Sequence, residues 1–171
     1  IAHGDPANDH PALSLAVDAT FVLQGPAGRR EVKADDFFLG TYMTALADDE
    51  ILVAIKVPAF AARTGWAYEK LKRKTGDWAT AGAAVVMRMD GGTVAQVRIG
   101  LTNVAPTAIR ATAAEDALRG KPLSDASIDA AAAAAVAACD PAEDLRGDVA
   151  YKKAMAGQMV KRAIRAAAAR A

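Results

Sequence analysis

The chain has 171 residues, a net charge of +1, 53% hydrophobic residues and 24% charged residues. This length suits one ordinary domain or two small ones, and a charge near zero gives no global attraction to nucleic acid or to a membrane surface. No run reaches the roughly 18 apolar residues that span a bilayer, and the single cysteine, Cys139, excludes an internal disulfide and a cysteine-only metal site. A reducing, cytoplasmic setting is therefore expected.

The first stretch, "IAHGDPANDHPAL", has the composition of a polar loop. Because the chain starts at Ile1, without methionine and inside this loop, we expect it to be a fragment of a longer polypeptide. The simplest interpretation makes Asp5, Asn8 and Asp9 caps for nearby backbone groups. Two alternatives stay open: a metal site, although the spacing of histidines and carboxylates matches no metal motif, and a loop that binds hydroxyls or phosphates of a cofactor.

The next elements predict a small sheet. Residues 16–23 are rich in β-branched and aromatic residues and predict a strand. The glycines and proline of 24–28 predict a turn. A short strand and a short helix follow, with Asp35 as the helix N-cap, and the strand "DEILVAIKVP" ends at Pro58.

The segment "AFAARTG" is the best internal boundary. Beyond it, residues 66–73 and 80–89 predict two strands, and the glycines of "MDGGTV" predict a tight hairpin turn. The returning strand, "VAQVRIGLTNV", completes a three-stranded antiparallel sheet whose central strand is apolar on both faces.

The hydrophobic period then changes from 2 to 3.6, which predicts three helices. The first, "APTAIRATAAEDALRG", ends at Gly120, and the second begins at Ser124, with Ser127 as a weak capping partner. In the third, residues 148–170, an apolar stripe is flanked by cations that lie largely off it. The stripe is Tyr151, Met155, Met159 and Ile164, and the cations are Lys152, Lys153, Lys161, Arg162 and Arg165. Strands followed by helices indicate an α+β fold with the helices on one face of the sheet.

The segment "YEKLKRKTGDWATAGAAVV" joins a basic half to an apolar half at Gly76-Asp77-Trp78. A solvated strand face is the usual outcome for such a charge run. The alternatives are a nucleic-acid patch with interleaved aromatics, which the near-zero net charge disfavours, and an aromatic side chain that stacks on a planar heterocycle. Cys139 is predicted to be a buried, inert thiol, because Asp140 beside it disfavours a thiolate.

Several blocks, in order, resemble the FAD-binding medium subunit of molybdenum hydroxylases. The blocks are "IAHGDPANDHPALSLAVDATFVL", "FFLGTYMTALADDEILVAIKVP", "YEKLKRKTGDWATAGAAVV", "IGLTNVAPTAIRA" and "RGDVAYKKAMAGQMVKRAIRAA". Among them, "YEKLKRKTGDWATA", "GTYMTAL" and "GLTNVAPT" look most like the carbon monoxide dehydrogenase branch. The resemblance covers nearly the whole chain.

The resemblance implies a division into residues 1–59, the second part of an FAD-binding domain, and residues 60–171, a C-terminal α+β domain. It implies FAD as the cofactor, with the molybdenum cofactor and two [2Fe–2S] clusters on a large and a small partner subunit. It further implies electron relay through FAD to a quinone, a dimer of heterotrimers, and a cytoplasmic location or a peripheral one at the inner face of the cell membrane.

Residue by residue, the resemblance places His3, Asp5 and Asp9 in a loop along the FAD chain, with Asp9 contacting it. Leu52 matches an apolar flavin contact, and Lys70 matches a lysine that faces the flavin edge. Trp78 falls where an aromatic lies against the isoalloxazine ring; the family usually has tyrosine there. Asp77 is expected to orient the turn and not to act as a base. No residue is expected to be catalytic, and no metal is expected on this chain.

The family places two glycine-rich FAD-phosphate stretches upstream of this region, and neither is present in the sequence. The chain is therefore expected to supply about half of the FAD site. Two alternatives remain: the medium subunit of a xanthine, aromatic-heterocycle or aldehyde dehydrogenase, and a flavin-free α+β assembly module.

Overall fold

Helix α1, Asp9–Ala16, occupies the stretch that was predicted to be a loop and the start of a strand. The computed structural model describes residues 1–171. The Asn8 side chain accepts a hydrogen bond from the backbone N–H of His10 at 2.9 Å and so caps the helix, while Pro11 lies in the first turn, where a backbone N–H has no partner to lose. The first strand begins only at Thr20, four residues after the predicted start at residue 16.

The first sheet has three antiparallel strands in the order β2-β1-β5. Strand β1 spans Thr20–Gly25, β2 spans Gly28–Lys33 and β5 spans Ile51–Lys56. The predicted turn joins β1 to β2. The buried core of this unit is built on Phe21 and Leu23 of β1.

Between β2 and β5 lie three short elements: α2, Ala34–Phe37, then β3, Phe38–Gly40, and β4, Met43–Thr44. The prediction that Asp35 caps α2 is wrong. Lys33 occupies the cap position and makes no side-chain capping bond. The Asp35 carboxylate instead accepts hydrogen bonds from Arg98 and Arg110, because these two guanidiniums offer stronger, charge-assisted bonds than a backbone N–H does.

The second sheet follows the order β6-β7-β8-β9, all antiparallel. Its three long strands are the predicted ones: β6 at Thr64–Leu71, β7 at Ala81–Asp90 and β8 at Thr93–Thr102. Their register pairs Tyr68 with Ala84 and Ala84 with Gly100. The two-residue strand β9, Ile109–Arg110, was not predicted; it lies within the stretch predicted as the first helix, residues 105–120, which becomes helical only from Thr112.

The three helices are α3 at Thr112–Leu118, α4 at Asp125–Ala137 and α5 at Val149–Ala168. Gly120 has a φ of +74° and follows α3, as predicted. Ser124 and Ser127 form a reciprocal capping box at the start of α4. Side chains of α3, α4 and α5 share one core with the apolar face of β7 and β8 that carries Val85 and Ile99.

The predicted apolar stripe of α5 is confirmed for Met159 and Ile164, which are buried. The prediction is wrong for Tyr151, which was placed in the stripe, and for Lys152, which was placed outside it. Tyr151 is exposed, whereas Lys152 is only 2% exposed. The Lys152 ammonium lies 2.8 Å from the Asp144 carboxylate and donates to the Ala142 carbonyl at 2.8 Å. The loop before α5 folds back over the helix and supplies both acceptors, so a cation that the helical period places toward solvent becomes buried and paired.

Helix α1 packs against the opposite face of the second sheet. At Gly100 of β8 an added Cβ would lie 2.1 Å from the Ala12 carbonyl oxygen, so only glycine allows the helix backbone to approach so closely. The second sheet is thus covered by α3–α5 on one face and in part by α1 on the other. This contact joins the first unit to the second, and the candidate site lies at its edge.

Candidate cofactor-binding site

A depression of about 180 Å³ lies where the start of α1 meets β6 and the turn after it. Its lining contains four of the seven residues proposed from the sequence: Asp9, Lys70, Asp77 and Trp78. These residues come from three separate segments. Asp9 arrives on α1, Lys70 on β6, and Asp77 and Trp78 on the turn between β6 and β7.

Asp9 is the centre of a polar cluster between the two units. Its carboxylate lies 3.0 Å from the Lys70 ammonium and accepts a hydrogen bond from the Tyr68 hydroxyl at 2.8 Å. The Tyr68 hydroxyl also lies 3.1 Å from the Thr102 hydroxyl. Burial raises the pKa of Tyr68 well above its usual range. The nearby Asp9 carboxylate raises this pKa further, and the hydrogen bond with Thr102 lowers it in part. Tyr68 is therefore a neutral donor that fixes the position of the Asp9 carboxylate.

The turn between β6 and β7 presents the Trp78 ring to solvent. Gly76 has a φ of +78°, a conformation that side chains disfavour. The Asp77 carboxylate points inward and is 8% exposed, while Trp78 is 45% exposed. Asp77 accepts a hydrogen bond from the Trp78 backbone N–H at 2.9 Å, which ties the two residues together. Trp78 thus offers an open aromatic face, as a stacking residue requires.

Two arginines hold Asp77 in its ionised form. Arg73 lies 3.2 Å and Arg146 lies 3.3 Å from its carboxylate oxygens. Burial alone would raise the pKa of Asp77, but the hydrogen bonds from Arg73, Arg146 and the Trp78 backbone together lower it. A carboxylate with a lowered pKa and two cationic partners is a poor proton acceptor, so these contacts suit a role in orienting the turn.

The other three proposed residues lie outside this depression. The His3 ring packs against Tyr42 with centroids 4.9 Å apart, and Asp5 accepts a hydrogen bond from the Ala7 backbone N–H. Leu52 lines a second depression of about 480 Å³, next to Ile1 and Leu46. His10 lines both depressions, so Leu52 is connected to the Asp9–Trp78 region along one surface.

The sequence reasoning missed four residues of the site: Asn8, His10, Tyr68 and Arg146. Tyr68 carried a usable signal, because it stands two residues before Lys70 on a strand and so shares its face. Arg146 carried none, since it reaches Asp77 from a loop 69 positions away.

The remaining candidate chemistries find little support. Cys139 is buried and donates to the Ala135 carbonyl; its burial raises the pKa of the thiol to about 11, only partly offset by Lys153. The predicted burial of the thiol is confirmed, and burial, not Asp140, is the main cause of its raised pKa. No three His, Cys, Asp or Glu side chains come close enough together to hold a metal ion. No helix has the length and apolar character to cross a membrane.

Comparison with known families assigns both halves of the chain. Residues 1–60 match the FAD binding domain in molybdopterin dehydrogenase, so the first unit is similar to part of a flavin-binding domain. Residues 66–167 match the CO dehydrogenase flavoprotein C-terminal domain. The chain belongs to this CO dehydrogenase flavoprotein family, as the sequence blocks indicated.

Individual relatives agree with this assignment. The chain is 68% identical over 170 residues to the carbon monoxide dehydrogenase medium chain of Hydrogenophaga pseudoflava, covering 99% of this chain and 59% of that protein. It is 48% identical to the corresponding chain of Afipia carboxidovorans, with the same coverage. A nicotine 6-hydroxylase medium subunit of Paenarthrobacter nicotinovorans is 34% identical. The chain thus spans less than two thirds of the length of these relatives.

Solved structures confirm the α+β fold of both units. A carbon monoxide dehydrogenase from Hydrogenophaga pseudoflava that lacks the Mo-pyranopterin moiety superposes with a TM-score of 0.97 at 72% identity, covering 98% of this chain and 58% of that one. A cyanide-inactivated Cu,Mo-CO dehydrogenase also gives 0.97, at 48% identity, covering 99% and 59%.

Proposed function

We propose that the chain is part of the flavoprotein subunit of a carbon monoxide dehydrogenase, in which it helps to hold FAD and relays electrons. The observation that carries this proposal is the meeting of Asp9, Lys70 and Trp78 around one depression. The 68% identity to a carbon monoxide dehydrogenase medium chain supports it. We further propose residues 1–59 and 60–171 as its two domains.

The side chains present fit FAD by their chemistry. Asp9 keeps part of its carboxylate accessible and can accept hydrogen bonds from the hydroxyls of the FAD chain. Lys70 supplies a fixed positive charge beside it, which favours electron density on a nearby flavin edge. Trp78 offers an apolar face to a planar ring, and Leu52 a second apolar contact further along. His3 and Asp5 remain proposed contacts from the segment before α1.

Bound FAD would supply reversible two-electron chemistry, and the residues of this chain would position it. The oxidation itself belongs to the large, molybdenum-binding subunit: CO and water give CO2, two electrons and two protons. Two iron–sulfur clusters of the small subunit would pass the electrons on, and a quinone would accept them. We propose that the three subunits assemble as a dimer of heterotrimers, located in the cytoplasm or at the inner face of the cell membrane.

A different substrate within the same family is less well supported. The relatives named for nicotine, glyceraldehyde and caffeine are 31–34% identical, against 68% and 48% for the two carbon monoxide dehydrogenase chains. A flavin-free module is disfavoured because residues 1–60 match an FAD-binding domain.

The test is flavin binding by the full-length subunit. The subunit should be purified with its two partners, incubated with excess FAD, desalted and examined for the visible flavin absorption band and for CO-dependent bleaching of that band. We expect close to one FAD per subunit and bleaching by CO. Absence of the flavin band in the assembled protein would refute the proposal, and a flavin that is bleached by an aldehyde or a purine but not by CO would refute the assigned substrate.

A further inference from the structure

The loop before α5 contacts the Trp78 turn from outside the depression of the candidate site. Arg146 of this loop lies 3.3 Å from the Asp77 carboxylate, although 69 positions separate the two residues. Arg146 does not itself line the depression that contains Asp9 and Trp78. It therefore reaches the site through Asp77.

A continuous series of polar contacts runs from α5 to the backbone of Trp78. The Lys152 ammonium lies 2.8 Å from one oxygen of the Asp144 carboxylate, and the other oxygen accepts the Arg146 backbone N–H at 2.8 Å. The Arg146 guanidinium then donates to Oδ1 of Asp77, and the same oxygen accepts the Trp78 backbone N–H at 2.9 Å. Four contacts thus connect a buried lysine of α5 to the residue that carries the exposed aromatic ring.

The loop that carries Arg146 is itself firmly held. The backbones of Asp144 and Gly147 exchange two hydrogen bonds, at 3.2 and 3.1 Å. Burial would raise the pKa of Asp144, but hydrogen bonds from Lys152 and from the Arg146 backbone lower it, so this carboxylate stays ionised. The loop is therefore a fixed support from which the Arg146 guanidinium extends.

Neither cation stands where stability alone would place it. Lys152 is 2% exposed and lies in the first turn of α5, where the helix dipole opposes a positive charge and burial removes its hydration. The Arg146 Nε is buried and has no hydrogen-bond acceptor, and such a donor costs free energy. These costs indicate that the two side chains serve a purpose beyond the folding of the loop.

Arg146 is the partner of Asp77 that fixes the turn relative to the rest of the second unit. Arg73, the other partner, belongs to the turn itself, and its side chain is 55% exposed, against 20% for Arg146. On the far side of Trp78, Asn103 donates to the carbonyl of the next residue at 2.6 Å. Trp78 thus lies between two external anchors, and loss of Arg146 would leave one.

We propose that Lys152 and Arg146 are positioning residues for the flavin reaction, which act through Asp144 and Asp77 to hold the Trp78 ring in its stacking orientation. This inference rests on the proposed function, because only a bound flavin gives that orientation a role. An aromatic ring that is already ordered loses little freedom when it stacks on a ligand. Release of the turn should therefore weaken the stacking without removing any group that lines the site.

The test measures the bound flavin in the full-length subunit assembled with its two partners. Arg146→Gln removes the outer ion pair of the turn, and Lys152→Met removes the buried cation of the loop. We expect each variant to change the rate constant of flavin reoxidation at least threefold, in the same direction as Trp78→Ala, as measured by stopped-flow absorbance. Arg146→Lys, which keeps a cationic donor, should lie closer to the parent protein.

Lys161→Met is the matched control. Lys161 is also a lysine of α5 and lies 2.7 Å from the Asp129 carboxylate, but this ion pair is not part of the series that leads to Trp78. Its loss should leave the reoxidation rate unchanged. Equal changes in Lys161→Met and Arg146→Gln would overturn the inference, because they would show a general effect of losing a cation.

A double-mutant cycle separates positioning from a direct effect of charge. If Arg146 acts through Trp78, Arg146→Gln should have no further effect in the Trp78→Ala background. A guanidinium that acted on the flavin by its charge alone would change the reoxidation rate equally in both backgrounds, and this result would also overturn the inference.

Hydrogen exchange at the Trp78 backbone N–H provides a measurement that needs no flavin. In the free full-length subunit, Arg146→Gln should speed this exchange at least tenfold, whereas Lys161→Met should not. An unchanged exchange rate in Arg146→Gln would refute the inference even where Lys152→Met fails to assemble. A parent complex without FAD would refute the proposed function, while faster exchange in Arg146→Gln would still show that Arg146 holds the turn.

Discussion

Asp77 and Trp78 are neighbours whose side chains meet opposite environments. The Asp77 carboxylate is enclosed by Arg73 and Arg146 and accepts the Trp78 backbone N–H, while the Trp78 ring stays open. A turn held by two ion pairs can present an exposed aromatic ring in one orientation. The orientation of the exposed Trp78 ring thus depends on the buried Asp77 carboxylate.

Replacing Trp78 by alanine should change the redox potential or the reoxidation rate of the bound flavin and leave the fold intact. Trp78 is 45% exposed, so little core packing is lost, whereas a stacking partner worth about 1 kcal/mol disappears. We expect a shifted flavin potential or slower reoxidation in the full-length subunit, measured by stopped-flow absorbance, with Trp78→Tyr close to the parent protein. Unchanged reoxidation together with a large drop in melting temperature would instead show that Trp78 is a core residue.

Asp77 should make stability depend on acid pH. Because its folded-state pKa is lowered, its contribution is fully present above the unfolded value of about 3.9 and is lost as the pH falls through the folded value. The melting temperature of Asp77→Asn should therefore lie below that of the parent at neutral pH, and the two should converge as the pH falls below the folded-state pKa of Asp77. Asp48→Asn, which alters an exposed carboxylate without an ion pair, serves as the control. A gap that stays constant with pH would contradict this account.

At the scale of elements, the sequence predicted the strands of the second sheet well and the packing across them poorly. Alternation of polar and apolar residues, glycines at turns and apolar residues at helical spacing are patterns within short stretches of sequence. These patterns predicted the positions of β6, β7, β8 and α5. Helix α1 was missed because eight residues with several polar side chains have no clear period. Its contact with Gly100 and the burial of Lys152 depend on distant segments, which no local pattern reports.

Gly100→Ala should separate α1 from the second sheet. The added Cβ would lie 2.1 Å from the Ala12 carbonyl oxygen, and both atoms are fixed by backbone. We expect a loss of about 1–3 kcal/mol in unfolding free energy, as for other overpacked sites, and weaker FAD binding because Asp9 moves with the helix. Chemical denaturation and flavin titration measure the two effects. Gly40→Ala is the matched control, since its Cβ would meet only ordinary contacts at 3.7 Å; equal losses in both variants would count against the packing argument.

At the scale of the whole molecule, the candidate site belongs to neither unit alone. Asp9 comes from the first unit, and Lys70 and Trp78 come from the second. The family resemblance singled out these three residues in the sequence, whereas local spacing could not, because they lie in segments that are far apart along the chain. It did not provide Tyr68 or Arg146, whose roles depend on what they touch.

The 171-residue chain on its own should not retain FAD. The depression that holds Asp9 and Trp78 has a volume of only about 180 Å³, and the glycine-rich phosphate-binding stretches of the family do not occur in the sequence. We expect the purified chain to be folded by circular dichroism and free of flavin after desalting. Flavin that copurifies with it in a one-to-one ratio would contradict this prediction.

The close contact between Ala12 and Gly100 also bears on synthesis of the chain. Helix α1 leaves the ribosome before the strands on which it packs, because α1 ends at Ala16 and β8 ends only at Thr102, 86 residues later. At about 5–20 residues per second, synthesis of this stretch takes roughly 4–17 seconds. The side of α1 that packs on Gly100 stays uncovered during that interval, whereas Leu15 can already pack against Phe21 and Leu23 of the first unit.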